Sequence, residues 1–305
     1  MIWTKWGISL GKAAMCIAVA FFIAAVLMIP AGVVLMALNG GDLNGIMEEA
    51  DELNATNIVF GIVQAVAFIT AVILMYTAFE RKKGWPLGWK EKKLASNFIV
   101  GSSAGIILIT CSFLLIWVYR GIAVTESVPI TSFLNHFLGC MLLFLFVAVS
   151  EELFSRGYVY GLLKQQFSAR AAAIGSALVF TILHSLNPGM FEQPFPVINL
   201  FLVGILFALC REFTGGLWVP IGLHFTWNLF QGNIYGFAVS GTTGQSMMIL
   251  DVQEGLLAGG TFGAEGSFMT TVVLAAAAAV VWIAGTSART PQTLPISASS
   301  DRIDQ

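Results

Sequence analysis

Charged side chains are scarce in this sequence. Asp, Glu, Lys and Arg make up only 10% of its 305 residues, whereas about a quarter of a soluble domain is charged. Hydrophobic residues account for 57% of the chain and the mean hydropathy is +0.83, so the composition excludes an ordinary soluble domain and predicts a polytopic membrane protein. The net charge of −2 does not indicate a nucleic-acid partner. We expect membrane lipids, and no nucleic acid, among its partners.

The sequence also lacks the common metal and disulfide patterns. Its four cysteines lie singly in apolar runs, without the spacing of a metal site or of a disulfide framework. We therefore expect all four to be small buried residues. A His-Glu-x-x-His helix is missing as well, so metal ligands would have to converge from different helices. The cysteines are Cys16, Cys111, Cys140 and Cys210.

Long apolar runs are what the sequence has in abundance. Eight such runs predict an all-α polytopic membrane protein with about eight transmembrane helices. Several of them are nearer 15 residues than the roughly 20 that cross the hydrocarbon core. Either flanking polar residues extend these helices across the membrane, or the bilayer is thinner around them. The runs are Ala13–Leu38, Ile58–Phe79, Leu94–Tyr119, Phe133–Leu163, Ala171–Leu186, Val197–Cys210, Leu217–Phe237 and Met269–Ile283.

These runs predict a single transmembrane helical domain over residues 1–286. The first run is too long for the core of a signal peptide, so we expect it to remain as a membrane anchor. Residues 287–305 are polar and rich in Ser, Thr and Pro, which favours a disordered tail. Two small-xxx-small patterns, Gly101 to Gly105 and Gly157 to Gly161, indicate close contacts between helices.

The basic residues indicate an orientation. With eight crossings and a cytoplasmic N-terminus, nearly all Lys and Arg residues outside the spans fall on one side, which the positive-inside rule makes cytoplasmic. The opposite side receives Arg120 and an acidic segment from Asp42 to Glu52. We therefore expect an integral multi-pass protein of the cell (plasma) membrane with both termini in the cytoplasm.

A charged stretch interrupts the fourth apolar run. Glu151, Glu152 and Arg156 lie between two segments that would otherwise form one apolar span. An ionisable residue at membrane depth costs roughly 2.5–3.5 kcal/mol, so an ionic cluster there predicts a functional site. Glu152 and Arg156 stand at i and i+4 and could form a purely structural ion pair. That pair would leave Glu151 without a role.

Two of the three histidines lie at the depth of Glu151 on later apolar runs. Each of the three residues is about 20 Å of helix from the nearest basic residue at the predicted cytoplasmic end, at 1.5 Å per residue. The spacings are 13 residues between Glu151 and Lys164, 14 between His184 and Arg170, and 13 between His224 and Arg211. We therefore expect one interior cavity lined by all three side chains.

The residues gathered at this depth form a hydrolytic set. A carboxylate can take a proton from water, an imidazole can hold or activate that water, and amide donors can stabilise an oxyanion. Asn228 lies one turn from His224 and should face the same cavity. A single divalent ion such as zinc is an alternative, with Glu151, His184 and His224 as candidate ligands. The third histidine, His136, lies at the outer end of its run and is expected to be interfacial.

At these residues the sequence resembles a known family. Glu151-Glu152-x-x-x-Arg156, Phe180-x-x-x-His184 and His224-x-x-x-Asn228 are similar, in order and spacing, to the three motifs of the CPBP family. This family comprises CAAX proteases and bacteriocin-processing enzymes, is also called Abi, and includes the type II CAAX prenyl endopeptidase. The motif-bearing core covers about residues 132–237.

The resemblance implies an intramembrane endopeptidase, glutamate-dependent or metal-dependent, with an eight-helix core and an active-site cavity inside the membrane. It implies Glu151 as general base, His184 as its partner on the water, and His224 and Asn228 as oxyanion stabilisers, with Glu152 and Arg156 supporting the site. The implied substrate is a prenylated CAAX-type tail or a small peptide such as a bacteriocin precursor.

Two other functions would also explain Glu and His residues inside a membrane. One is a transporter or proton-coupled carrier, and the other is a non-catalytic immunity or binding protein in which the motifs only clamp helices. The carboxylates cluster at a single level and no repeat between the halves is visible, which argues against the transporter.

Overall fold

Helices dominate the computed structural model of this chain, which describes residues 2–38, 53–253 and 255–289. The apolar runs become helices because a segment inside a membrane must satisfy its own backbone N–H and C=O groups. The helices in the described residues are α1 (Ile2–Leu38), α2 (Ala55–Phe79), α3 (Leu94–Val118), α4 (Ile130–Glu152), α5 (Tyr160–Lys164), α6 (Ala169–Leu183), α7 (Phe195–Thr214), α8 (Trp218–Leu229) and α9 (Phe268–Arg289).

π-Helical turns interrupt the regular geometry at two points of the described chain. Leu153–Val159 joins α4 to α5 without a break, and Phe230–Ile234 prolongs α8. With α4 and α5 counted as one, the described residues form eight continuous helical segments, so the prediction of about eight helices is confirmed. The first turn begins directly after Glu152 and contains Arg156, and the second begins two residues after Asn228. π-Helical turns are rare overall, and many of those known lie at functional sites.

Six of the described helical segments are long and apolar enough to cross a membrane, by length and composition. The other two, α6 with 15 residues and α8 with 12, are shorter. At 1.5 Å per residue α6 is about 22 Å long, against roughly 30 Å of hydrocarbon. Ten of the 12 residues of α8 are buried, so this helix is part of the protein core and need not match the bilayer.

Glycine lets α3 and α8 approach closely, as the small-xxx-small pattern predicted. A Cβ at Gly101 would overlap the carbonyl oxygen of Val219, and a Cβ at Gly105 would overlap that of Leu223. From the other side, a Cβ at Gly222 would overlap the backbone of α3. Close backbone contact of this kind is the usual basis of tight helix pairs in membranes. It fixes α8, which carries His224 and Asn228.

A two-stranded antiparallel sheet caps the end of the bundle opposite the basic loops. Strand β1 (Ile122–Ser127) follows α3, and β2 (Met248–Val252) lies between α8 and α9. The sequence did not predict it, since both strands are short and largely exposed and carry no long apolar alternation. The all-α class holds for the rest of the described chain. The sheet ties the connection after α3 to the connection between α8 and α9.

Several predicted boundaries differ from those observed. Helix α1 begins at Ile2 rather than at Ala13, and α6 ends at Leu183, which places His184 just beyond the helix. Helix α9 continues to Arg289, so residues 287–289 of the predicted tail are helical. The remaining tail residues and the acidic segment 42–52 lie outside the described residues.

The prediction for the cysteines is right at three positions and wrong at one. Cys16, Cys140 and Cys210 are buried, whereas Cys111 is exposed. Cys111 lies between Ile107 and Leu114, at i, i+4 and i+7 on one face of α3, and both neighbours are also exposed. This stripe is the outward, lipid-facing side of the helix.

Candidate active site

The adjacent carboxylates Glu151 and Glu152 occupy different environments at the end of α4. Consecutive side chains of a helix point about 100° apart. A helix at the edge of a cavity can therefore direct one of two neighbouring side chains into the packed protein core and the other towards the cavity. The side chain of Glu152 is fully buried, whereas 31% of the Glu151 side chain is exposed. The two glutamates can therefore serve different purposes.

Glu152 forms the predicted ion pair with Arg156. Arg156 Nη1 donates to Glu152 Oε1 over 2.8 Å, and both side chains have no exposed surface. The guanidinium carbon lies 4.3 Å from the ring centre of Phe180 and 4.9 Å from that of Phe207, and Nη2 donates to the Gly204 carbonyl. This pair links α4 to α6 and α7 below the cavity.

Both motif histidines are oriented by their Nδ1 atoms. His224 Nδ1 lies 3.1 Å from Glu152 Oε1, and His184 Nδ1 lies 2.8 Å from the carbonyl oxygen of Phe180. Because both partners are acceptors, Nδ1 carries the proton in each ring, and Nε2 of a neutral ring is free to accept. The Nε2 atoms of both rings thus point to a common third residue.

That third residue is Glu151. Its Oε2 atom lies 3.8 Å from His184 Nε2 and 3.9 Å from His224 Nε2. It has no hydrogen-bond partner among the described residues. Both separations exceed the reach of a direct hydrogen bond but can hold a small polar group between the three atoms. The structure thereby brings together Glu151, His184 and His224, the residues expected at one depth.

Two cavities meet at Glu151 and His184. One, here called the histidine cavity, has a volume of about 180 Å³ and is also lined by His224 and Asn228. The other, here called the side cavity, has about 240 Å³ and lies between α1, α2, α4 and α6. Asn228, which is only 6% exposed, therefore faces the predicted cavity. An extended chain passing from one cavity to the other would cross the carboxylate and both imidazoles.

Sequence reasoning missed four polar residues of the histidine cavity, which are Asn187, Ser240, Thr242 and Glu265. Asn187 follows His184 by three residues and lines both cavities. Glu265 lies in a short 3₁₀ turn (Ala264–Gly266) before α9 and lines the histidine cavity. Glu265 is the one acidic residue among the mostly small and apolar residues 255–269, and this isolation was the sequence feature that could have marked it as a site residue. Burial raises the pKa of Glu265, although hydrogen bonds from Ser240 act in the opposite direction.

The remaining histidine is separate from this site. His136 lies in the first half of α4 and its Nε2 contacts the carbonyl oxygen of Leu53. It lines neither of the two cavities. Its side chain is half-buried, and its place at the membrane interface stays a prediction.

Glu151, His184 and His224 are the side chains that the sequence offered as candidate metal ligands. Metal-binding imidazoles commonly have a hydrogen-bond acceptor on the ring nitrogen that does not bind the metal, as both Nδ1 atoms have here. Among the described residues, however, no group of three His, Cys, Asp or Glu side chains is arranged to hold a metal ion.

Residues 131–230, about a third of the chain, match the family model of the type II CAAX prenyl endopeptidase Rce1-like proteins. A comparison with curated proteins found no match. The matched region contains all three motifs, from Glu151 to Asn228, so the resemblance predicted from the sequence is confirmed. Glu265 lies outside it. At the coarse level the family is one of proteases, and the apolar helices make this chain an integral membrane protein.

Proposed function

We propose that this Rce1-like chain is an intramembrane endopeptidase that cleaves a prenylated CAAX-type tail with water activated by Glu151. The observation that carries the proposal is the arrangement around Glu151 Oε2, an unpartnered carboxylate oxygen with two imidazole Nε2 atoms 3.8 and 3.9 Å away. A salt bridge that only clamped helices would pair this oxygen. Glu152 and Arg156 already form such a clamp.

In the proposed reaction a water molecule binds between Glu151 and His184. Glu151 accepts one proton from the water, and His184 Nε2 accepts a hydrogen bond from the other and holds the oxygen in line. The water oxygen attacks the carbonyl carbon of the scissile peptide. The carbonyl oxygen then becomes an oxyanion.

His224 and Asn228 stabilise that oxyanion. With both ring nitrogens protonated, His224 donates Nδ1–H to Glu152 and Nε2–H to the oxyanion, and the Asn228 amide donates a second hydrogen bond. The burial of Glu152 and Arg156 keeps this imidazole in a fixed orientation. Collapse of the intermediate breaks the C–N bond and releases an amine and a carboxylic acid.

Two substrate classes can be distinguished by experiment, and the family match favours the first. A prenylated tail would partition into the membrane and reach the side cavity, which is lined by residues of α1 and α2 such as Phe21 and Phe68. An unlipidated peptide, such as a bacteriocin precursor, would lack that apolar anchor. The prenylated and the unprenylated form of one CAAX peptide distinguish the two classes.

The test uses the purified full chain in detergent with both peptides, and mass spectrometry of the products. We expect cleavage of the prenylated peptide by the wild type and no cleavage by Glu151→Gln, because the amide keeps the shape of the carboxylate but cannot accept the proton. Glu126→Gln, an exposed carboxylate of β1, is the matched control and should retain activity. Full activity of Glu151→Gln would remove the general-base assignment.

Metal analysis of the same protein tests the alternative ligand set. After extensive chelation we expect activity to persist and the metal content to be well under one ion per chain. Stoichiometric zinc that is lost in both His184→Ala and His224→Ala, with reversible inactivation by chelators, would replace the proposed mechanism with that of a metalloprotease.

A further inference from the structure

Glu265 occupies a defined position in the histidine cavity. It is only 8% exposed, and hydrogen bonds from a side chain of α7 hold the loop that carries it. The Asn199 side chain donates to the carbonyl oxygens of Glu265, over 2.7 Å, and Ser267, over 2.9 Å. Asn199 Oδ1 in turn accepts a hydrogen bond from Thr271 at 2.7 Å. A loop held by three such bonds places its carboxyl group reproducibly.

The two oxygens of the Glu265 carboxyl group are not equivalent. Oε2 accepts hydrogen bonds from the Ser240 backbone N–H at 3.1 Å and from the Ser240 hydroxyl at 2.8 Å. Oε1 has no hydrogen-bond partner among the described residues, and the side chain borders the cavity. A proton on this carboxyl group therefore resides on Oε1, since Oε2 is occupied by two donors.

The surroundings of Glu265 raise its pKa above the ordinary value of a glutamate, so its protonated form persists to higher pH. Burial raises the pKa of Glu265, and the hydrogen bonds from Ser240 and the charges of His184 and His224 lower it by less. The titratable groups that line the same cavity are Glu151 on α4, His184 after α6 and His224 on α8. A buried carboxyl group kept neutral can donate a proton at a pH where a solvated one cannot.

We propose that Glu265 is a further catalytic residue, which donates its Oε1 proton to the amine that leaves the scissile peptide. This inference rests on the proposed function. As the tetrahedral intermediate collapses, the oxyanion reforms the carbonyl, the C–N bond breaks, and the electron pair on nitrogen takes the proton from Oε1. Glu265 is left as a carboxylate, which the two Ser240 donors stabilise. The proton that Glu151 removed from water returns to Glu265 through water, so the cycle consumes only one water molecule.

A purely structural role for Glu265 makes a different prediction. Ser240 has a left-handed backbone with φ of 49°, and Glu265 could serve only to hold this strained loop. Loss of such a latch would disturb the cavity for every substrate and would lower the melting temperature. Loss of a proton donor would affect only substrates whose leaving group needs a proton.

The experiment compares a peptide substrate with the p-nitrophenyl ester of the same acyl sequence, whose phenolate leaves without a proton. In Glu265→Gln we expect kcat for the peptide to fall by roughly 10²–10⁴, with KM and melting temperature unchanged and ester hydrolysis within a few fold of wild type. Glu192→Gln is the matched control, since it is an exposed carboxylate that binds Thr261 in the neighbouring loop. Equal losses on both substrates, or no loss on either, would overturn the assignment.

The pH profile gives a second, independent readout. Peptide hydrolysis needs protonated Glu265, so it should decline as pH rises through the pKa of this group, and that alkaline limb should be absent for the ester. The Ser240 hydroxyl lowers the pKa of Glu265, so Ser240→Ala should move the limb to higher pH. A limb that stays in place in Ser240→Ala would count against the proposal even if Glu265→Gln failed to fold.

The two proposals can fail separately. If the wild type hydrolyses the peptide and Glu151→Gln does not, while Glu265→Gln is fully active at every pH, only the role of Glu265 is wrong. If the wild type hydrolyses neither peptide nor ester, both proposals are overturned.

Discussion

Burial separates residues of identical chemistry in this molecule. Glu151 and Glu152 are neighbours in sequence, but only Glu152 is fully buried and neutralised by Arg156. The partly exposed Glu151 faces two imidazoles and two cavities. The division follows from helical geometry alone, because successive side chains point in different directions. It makes the first glutamate suited to chemistry and the second to support.

Removal of the Arg156 side chain should destabilise the protein. Arg156→Ala leaves Glu152 as a buried carboxylate without its cation, which costs about 3–5 kcal/mol, and it also removes the contacts with Phe180 and Phe207. We expect a clear loss of folded yield and a lower melting temperature in detergent. Arg170→Ala is the matched control, because Arg170 is exposed and its stacking on Trp282 is worth about 0.5–1 kcal/mol. Equal melting of the two variants would show that the buried pair is not structural.

Truncation of Asn228 should affect catalysis and not folding. Its side chain has no hydrogen-bond partner among the described residues, yet it lines the histidine cavity. If it donates to the oxyanion, Asn228→Ala should lower kcat by roughly 10²–10³-fold with little change in KM. Steady-state kinetics on the prenylated peptide measure both constants, and Asn97→Ala on α3, outside both cavities, is the control. A rise in KM at unchanged kcat would assign Asn228 to substrate binding instead.

Individual site residues could be predicted from the sequence only where they fall in a long apolar run. Glu151, His184 and His224 fall in apolar runs, where charge is costly and depth can be counted along the helix. Glu265 and Ser240 lie in the connection between α8 and α9. Loop residues carry no such depth signal, so their approach to the cavity follows only from the folded structure, here from the hydrogen bonds of Asn199.

At the scale of elements, composition predicted helices well and their exact geometry poorly. The apolar runs gave the right number of helical segments, because the membrane leaves few alternatives to a helix. The π-helical turns at Leu153–Val159 and Phe230–Ile234 have no signal in composition, since they depend on how neighbouring helices pack. The pairing of β1 with β2 joins residues more than a hundred positions apart, and no local pattern specifies such a pairing.

The α3–α8 contact should be sensitive to one added methyl group. In Gly105→Ala the new Cβ would overlap the Leu223 carbonyl oxygen and the Thr226 hydroxyl, and backbone atoms cannot rotate away. Overpacking of this kind costs about 1–3 kcal/mol, and a shift of α8 would also displace His224. We therefore expect a lower melting temperature together with reduced activity.

Gly32→Ala is the matched control for that substitution. A Cβ at Gly32 in α1 would meet no atom within 4 Å, and alanine favours a helix over glycine by up to about 1 kcal/mol. The control should therefore melt at the wild-type temperature or slightly above it. If Gly105→Ala behaved in the same way, the two helices would not be held by backbone contact at this point.

The distribution of charge is the dominant feature of the whole molecule. Basic residues gather in the loop between α2 and α3, and at the ends of α5 and α7. The sheet and the connection from α8 to α9 form the opposite end of the bundle. If all eight helical segments of the described chain cross the membrane, the chain returns to the side on which it began. The basic end and the sheet end should thus lie on different sides of the membrane.

The basic end should face the cytoplasm, because Lys and Arg residues in short loops are retained on that side. Single cysteines at Lys82, in the loop after α2, and at Glu126, in β1, report the two ends, and both positions are exposed. The background carries Cys111→Ser, since Cys111 is exposed whereas the other three cysteines are buried. In right-side-out membrane vesicles a membrane-impermeant maleimide should label Glu126→Cys at once and Lys82→Cys only after the membrane is opened. The reverse pattern would invert the topology and place the sheet end, together with the Glu265 loop, in the cytoplasm.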